Sequence, residues 1–113
     1  MAHYLLQVAY TAEAWAAMTK NPQARTKAIE SVVQRLGGRV EIAYLSFGDY
    51  DTVAVFDMPT NVDMAALSIA AAAGGGIKSV KTTPLMTVEE GIDAMKKAAQ
   101  SGYVPPQASA AGV

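Results

Sequence analysis

The stretch Ser46-Phe47-Gly48-Asp49-Tyr50-Asp51-Thr52-Val53-Ala54-Val55-Phe56 decides the fold of this chain. It contains a polar turn, Gly48-Asp49-Tyr50-Asp51, between two apolar runs, which is the pattern of a β-hairpin. The runs predict a second strand over residues 39–47 and a third strand over residues 52–58. Pro59 ends the third strand, because proline has no N–H to donate to a strand ladder. The other elements can then be placed on either side of this hairpin.

Alternation along the strands predicts which side chains share a face of the sheet. On the second strand, one face carries Val40, Ile42 and Tyr44. The opposite face of that strand carries Glu41, Ala43, Leu45 and Phe47. On the first strand, residues 3–10, one face carries Tyr4, Leu6, Val8 and Tyr10. The other face of the first strand carries His3, Leu5, Gln7 and Ala9.

Helices are predicted between the strands and after them. Thr11 is suited to cap a short helix, and a second helix is predicted from Pro22 to Leu36, ended by a pair of glycines. After the hairpin, Asn61 or Asp63 is expected to cap an alanine-rich helix that runs to about residue 73. A fourth strand follows over residues 77–85. The sequence 87–90, Thr-Val-Glu-Glu, is a capping box that opens a last helix.

The element order is β-α-β-β-α-β with an extra C-terminal helix, which predicts an α+β, ferredoxin-like sandwich with a four-stranded antiparallel sheet. We assign residues 1–101 to this domain and residues 102–113 to a flexible C-terminal tail rich in Pro, Ala and Gly. The helices would cover one face of the sheet, and a second copy of the chain is the simplest cover for the other. The residues predicted on that open face are His3, Leu5, Gln7, Glu41, Ala43, Leu45, Phe47 and Phe56.

Composition excludes several classes of function. The 113 residues carry a formal net charge of −1, so there is no basic surplus to bind nucleic acid. The chain has no cysteine, which excludes disulfides and thiolate chemistry. With no signal peptide and no apolar run long enough to span a membrane, we expect a cytoplasmic protein. Only 17% of residues are charged, against about 25% in an average globular protein, which favours burial of surface against a partner.

Several stretches together resemble the GYD domain family. They are Gly48-Asp49-Tyr50 between the hairpin strands, Tyr4-Leu5-Leu6-Gln7, Leu36-Gly37-Gly38, and the run from Lys78 to Leu85. The resemblance covers roughly residues 3–100. It implies a small bacterial protein with a ferredoxin-like fold, no established activity and kinship with proteins that pair by their sheets as dimeric α/β barrels. It implies no catalytic residues.

The hairpin turn and the first strand supply the candidate site residues. Asp49 and Asp51 could be an acid/base pair or a weak cation site, or could form hydrogen bonds that shape the turn. Tyr50 could donate a proton at a pocket mouth or pack at the hairpin end. His3 is the only histidine; it could be an acid/base near neutral pH or an ordinary strand residue. A metal site built mainly on imidazole needs more than one histidine, so no metal and no cofactor are predicted.

The leading hypothesis is a homo-oligomeric binding or assembly module without catalysis, with itself as partner and no nucleic acid or membrane partner. The alternative is a cofactor-independent enzyme, monooxygenase-like or isomerase-like, or a small-molecule binder that uses a pocket at the open sheet face. A third possibility is a regulatory partner of a larger enzyme, docked through the alanine-rich helix. The catalytic candidates are His3, Glu41, Asp49 and Tyr50. The binding candidates are Gln7, Tyr44 and Asp51.

Overall fold

The computed structural model describes residues 1–22 and 26–106. These residues form strands β1 (Ala2–Tyr10), β2 (Arg39–Leu45), β3 (Thr52–Met58) and β4 (Ile77–Leu85). They also form helices α1 (Ala12–Lys20), α2 (Thr26–Arg35), α3 (Asn61–Ala73) and α4 (Val88–Ala99). The sheet order is β2-β3-β1-β4, and every neighbouring pair is antiparallel. The predicted α+β, ferredoxin-like sandwich with an extra C-terminal helix is confirmed.

One face of the sheet, here called the helical face, carries the hydrophobic core. Side chains of β1 and β3 pack there against Val33 of α2 and against Met64 and Leu67 of α3, all almost fully buried. The strand residues in this core are Tyr4, Leu6, Val8, Ala54, Phe56 and Met58. Burial of such side chains contributes about 1.5–3 kcal/mol each. The face predicted for Tyr4, Leu6 and Val8 is therefore the core face.

The helix ends confirm two predicted caps and correct a third. Thr11 caps α1, and Thr87 with Glu90 forms the predicted capping box of α4. The cap of α3 is Thr60, not Asn61 or Asp63, because Thr60 is extended and its hydroxyl accepts the backbone N–H of Asp63. The described part of helix α2 is Thr26–Arg35, and Pro22 is not helical; residues 23–25 of the predicted helix lie outside the described residues.

A β-bulge in β2 changes the predicted faces of that strand. Val40 pairs with Phe56, but the next paired residue is Ile42, opposite Val55, so Glu41 is an extra residue in the ladder. A bulge shifts the alternation by one position. Ala43 and Leu45 consequently lie on the helical face, while Ile42 and Tyr44 join the opposite face. The predicted grouping of Ile42 and Tyr44 with Val40 is wrong beyond the bulge.

Two phenylalanines also differ from their predicted positions on the open face. Phe56 lies opposite Tyr4 on the helical face and is 1% exposed. Phe47 follows the end of β2 and is fully exposed, so it belongs to the hairpin loop and not to the sheet.

Among the described residues, no helix has both the length and the apolar character needed to cross a membrane.

The capping box of α4 makes a pH-dependent contribution to helix stability. The pKa of the Glu90 carboxyl is lowered chiefly because it accepts a hydrogen bond from the backbone N–H of Thr87, at 2.9 Å. Since the folded-state pKa is the lower one, this contribution is complete above the unfolded-state pKa and is lost as the pH falls through the folded-state pKa.

We therefore expect NMR titration of the Glu90 carboxyl to show a pKa below the ordinary glutamate value, with loss of helix signal at α4 in the same pH range. Glu90→Gln is the control, because glutamine can still accept the Thr87 hydrogen bond but does not titrate. A Glu90 pKa at or above the ordinary value would contradict the capping interaction.

Candidate functional site

A cavity of about 840 Å³ lies between the helical face of the sheet and helices α1 to α3. Its floor is formed by apolar side chains of all four strands, and its roof by side chains of the three helices. The floor residues are Leu6, Val8, Val40, Ala43, Leu45, Ala54, Phe56 and Ile77. The roof residues include Ala14, Trp15, Met18, Ile29, Val32, Leu67, Ala70 and Ala71. The volume is within the range of small-molecule pockets, about 300–1,000 Å³.

The polar side chains of this cavity are few, and two of them are paired. The hydroxyls of Tyr10 and Thr52 are 2.9 Å apart and form one hydrogen bond. The ring of Tyr10 also meets the ring of Trp15 edge to face, with centroids 5.4 Å apart. An apolar pocket with a small polar cluster at one place is the usual composition of a ligand site, because the polar groups orient the ligand. Trp15 is 41% exposed, so it lies where the cavity reaches the surface.

The opposite face of the sheet, here called the open face, is organised in rows of paired residues. The middle row, Ile42, Val55, Leu5 and Thr83, is mainly apolar. The next row toward the hairpin loop is Tyr44, Val53, Gln7 and Lys81. The row at the other end is Arg39, Asp57, His3 and Leu85. The core cluster of the described chain lies on the helical face only.

Three potential ligand side chains meet at the end row. His3 Nδ1 is 3.4 Å from Glu41 Oε2 and contacts Asp57 Oδ1. The guanidinium of Arg39 lies 2.6 Å from the second carboxylate oxygen of Asp57, Oδ2. Asp57 is almost fully buried, whereas His3 and Glu41 are about one-third exposed. We call His3, Glu41 and Asp57 the end-row cluster.

The hairpin loop at the other end of the sheet has a structural role. Ser46 donates its backbone N–H to Asp51 and its hydroxyl to Tyr50, which closes the loop. The carboxylate of Asp51 accepts the backbone N–H of Tyr10 at 2.9 Å, and its own N–H donates to Val8. Asp51 therefore joins the loop to the end of β1 and satisfies backbone groups there. Asp49 is exposed.

These observations on the hairpin and the strands around it agree with the family comparison. The GYD domain model matches residues 4–95. The chain belongs to the GYD domain family. The resemblance inferred from Gly48-Asp49-Tyr50 and its neighbouring stretches is confirmed. A search of curated proteins found no match.

Solved structures similar to this GYD domain share its fold at low identity. The protein TTHA0845 from Thermus thermophilus has a TM-score of 0.50 and 15% identity, over 77% of this chain and 95% of that chain. FFRP-DM1 has a TM-score of 0.48 and 15% identity, over 76% and 100% of the two chains. The hypothetical protein PHS023 from Pyrococcus horikoshii has a TM-score of 0.49 and 14% identity, over 77% and 92%. The likeness to TTHA0845 supports the α+β fold alone.

The GYD domain separates the predicted site residues into two groups. His3 and Glu41 lie together at the end row, whereas Asp49, Tyr50 and Asp51 lie at the hairpin loop. His3 and Tyr10, which adjoins the loop, are seven residues apart on β1, or about 23 Å along an extended strand. One site therefore cannot contain both groups. The remaining candidates, Gln7 and Tyr44, share a row of the open face on either side of Val53.

Sequence reasoning missed two parts of these sites. The sequence places Asp57 only in the third strand. It is the one charged residue between Thr52 and Met58, and a charged residue in an apolar strand often has a binding partner. The cavity itself lies on the helical face, whereas the sequence placed its candidate pocket at the open sheet face.

Proposed function

We propose that this GYD domain is a non-catalytic binding module that holds an apolar small molecule in the cavity beneath α1 to α3. The cavity, about 840 Å³ and lined by apolar side chains, is the observation that carries the proposal. The cavity reaches the surface at Trp15, so without a ligand its apolar lining is in contact with water, which is unfavourable. A bound apolar ligand removes that cost and gains the free energy of burial.

The chemistry of the lining supports binding rather than catalysis. Within the described parts of the chain, the cavity residues include hydroxyl groups but no carboxylate, imidazole or amine. General acid–base catalysis most often uses a histidine or a carboxylate, and Tyr10 is the only titratable side chain among the described lining residues. The hydroxyl pair of Tyr10 and Thr52 can orient a carbonyl or hydroxyl of a ligand without reacting with it.

Filling the cavity should abolish ligand binding without unfolding the protein. In Ala43→Phe, a benzyl group replaces a methyl group on the cavity floor, and we expect affinity for an uncharged fluorescent apolar probe such as N-phenyl-1-naphthylamine to fall at least tenfold. Trp15 is the only tryptophan and lines the cavity, so its emission reports the same event in the wild type. The melting temperature should stay equal or rise, because the added ring fills space within the cavity.

Ala72→Phe is the matched control, because Ala72 is exposed on α3 and does not line the cavity. It should bind the probe as the wild type does. Equal probe affinity in Ala43→Phe and the wild type, with both variants folded, would contradict a ligand site in the cavity.

Self-association through the open face is the second candidate function. The apolar middle row of that face is accompanied by exposed apolar side chains on α4, where Val88, Ile92 and Met95 are 77%, 44% and 67% exposed. Helix α4 buries none of its residues within the described chain. Surfaces of this kind on a soluble domain usually mark an interface, and a second copy supplies a self-complementary partner.

The mass of the particle in solution tests this second candidate. Sedimentation or light scattering at micromolar concentration should give an even number of chains, as sheet-to-sheet pairing requires. A monomer at that concentration would contradict self-association but would leave the cavity proposal untouched, because all cavity residues come from one chain.

A further inference from the structure

We propose that the end-row cluster, His3, Glu41 and Asp57, is a binding site for a divalent first-row transition metal ion. The site lies on the open face, away from the apolar cavity, and the proposal does not depend on the function assigned to the cavity. One imidazole nitrogen and two carboxylate oxygens are donors that Zn²⁺ and Mn²⁺ accept in proteins. A ligand atom from each of the three residues lies within 4.8 Å of the others.

The spacing of the donor atoms suits a common metal centre. Bonds of about 2.1 Å to a tetrahedral ion place neighbouring donor atoms about 3.4 Å apart. His3 Nδ1 and Glu41 Oε2 are 3.4 Å apart, so the separation of these two donors fits a shared ion. Asp57 Oδ1 contacts the same imidazole nitrogen more closely than two donors of one ion can lie, so the imidazole and the carboxylate have to separate before they share an ion.

The carboxylate of Asp57 supplies an independent indication of a ligand. Its side chain is 4% exposed, and His3 Nδ1 contacts Oδ1 without the geometry of a hydrogen bond, so no hydrogen bond from the described residues satisfies this oxygen. A buried polar atom without a partner is costly, and native proteins seldom leave one. This atom faces His3 and Glu41, so an ion bound between the three side chains would give it the missing partner.

Charge around the cluster also favours a cation. With His3 neutral, the two carboxylates and Arg39 sum to −1, which an ion of charge +2 changes to +1. Arg39 pairs with Asp57 Oδ2 and leaves Oδ1 facing His3. A proton on His3 would compete with a metal ion for this cluster. Added metal should shift the His3 ring signals if an ion binds and leave them unchanged if only the proton does.

Three protein ligands leave coordination positions for other groups. His3 and Glu41 are about one-third exposed, which gives solvent access to the ion. Sites with three protein ligands and an open position are typical of zinc that binds a water or a small anion. The bulge in β2 contributes to this geometry, because Glu41 is the unpaired residue of the ladder and reaches across β3 to His3 on β1.

The test uses tag-free full-length protein and zinc chloride. His3 is the only histidine, so ring signals in a long-range ¹H–¹⁵N NMR spectrum belong to this site alone. We expect Zn²⁺ to shift those signals with a stoichiometry of one ion per chain, and Glu41→Gln to weaken the affinity at least tenfold in calorimetry. Glu30→Gln, the same change at an exposed position on α2, should bind as the wild type does.

Two results would overturn the metal site. His3 signals that titrate with pH but ignore Zn²⁺ would show that a proton occupies the cluster, and would overturn the proposal. Equal affinity in Glu41→Gln and the wild type would overturn it as well. Asp57 is buried, so Asp57→Asn could lower the stability of the fold as well as metal affinity. The partly exposed Glu41 is therefore the residue whose substitution decides the test.

Discussion

Gly38→Ala is expected to destabilise the GYD domain by about 3 kcal/mol, at the upper end of the usual cost of overpacking. A methyl group at residue 38 would overlap the backbone oxygen of Asp57 and the sulfur of Met58. The methionine sulfur can move, but the backbone oxygen is held in β3, so the start of β2 has to shift. For a domain of this size, the loss corresponds to a melting temperature lower by about 10 °C. Thermal and urea unfolding followed by circular dichroism measure it.

Gly48→Ala is the matched control, at the glycine of the Gly48-Asp49-Tyr50 turn. No atom lies within 4 Å of the position that the added methyl would take, and Gly48 has no positive φ. Such a replacement changes stability by less than about 1 kcal/mol, since it mainly restricts the unfolded chain. A melting temperature equally low in both variants would contradict the close approach of β2 and β3 at Gly38.

Ile42→Lys should raise the dissociation constant of the proposed dimer at least a hundredfold. Ile42 is 45% exposed, pairs with Val55 and lies in the apolar middle row of the open face. In a symmetric sheet-to-sheet dimer each substitution occurs twice, and burying an unpaired ammonium group is strongly unfavourable. A hundredfold change corresponds to about 2.7 kcal/mol. Sedimentation velocity over a concentration series measures the shift.

Val62→Lys is the control for that experiment. Val62 is 76% exposed in the first turn of α3, which belongs to the helical side of the sheet. Val62→Lys should leave the assembly intact, whereas Ile42→Lys should give monomers. At protein concentrations where the wild type is also monomeric, Ile42→Lys and the wild type should have the same melting curve. Dissociation by both variants, or by neither, would show that the open face is not the interface.

The sequence predicted the order and type of the elements because each has a local signal. The polar turn at residues 48–51 indicates the hairpin, and Thr87 with Glu90 indicates the start of α4. These signals depend on neighbouring residues, so they need no knowledge of the tertiary fold. The confirmed sandwich follows from that order, since few topologies connect these elements without crossing.

The sites were less predictable because they depend on register and distance between elements. The extra residue Glu41 has no marker in the hydrophobic pattern, and it moved Ala43 and Leu45 to the cavity floor. The approach of Asp57 to His3 depends on β3 pairing with β1, which residues far apart in sequence decide. The cavity volume depends on how far the helices lie above the sheet, and the spacing of apolar residues in the sequence does not determine that distance.

Native mass spectrometry of freshly purified, tag-free protein tests the central claim most directly. It measures the number of chains and any retained organic ligand in one spectrum. The cavity proposal predicts a reproducible extra mass of a few hundred daltons per chain that is absent from Ala43→Phe. Chains without extra mass in the wild type, combined with no change in Trp15 emission when apolar probes are added, would contradict a ligand-binding function.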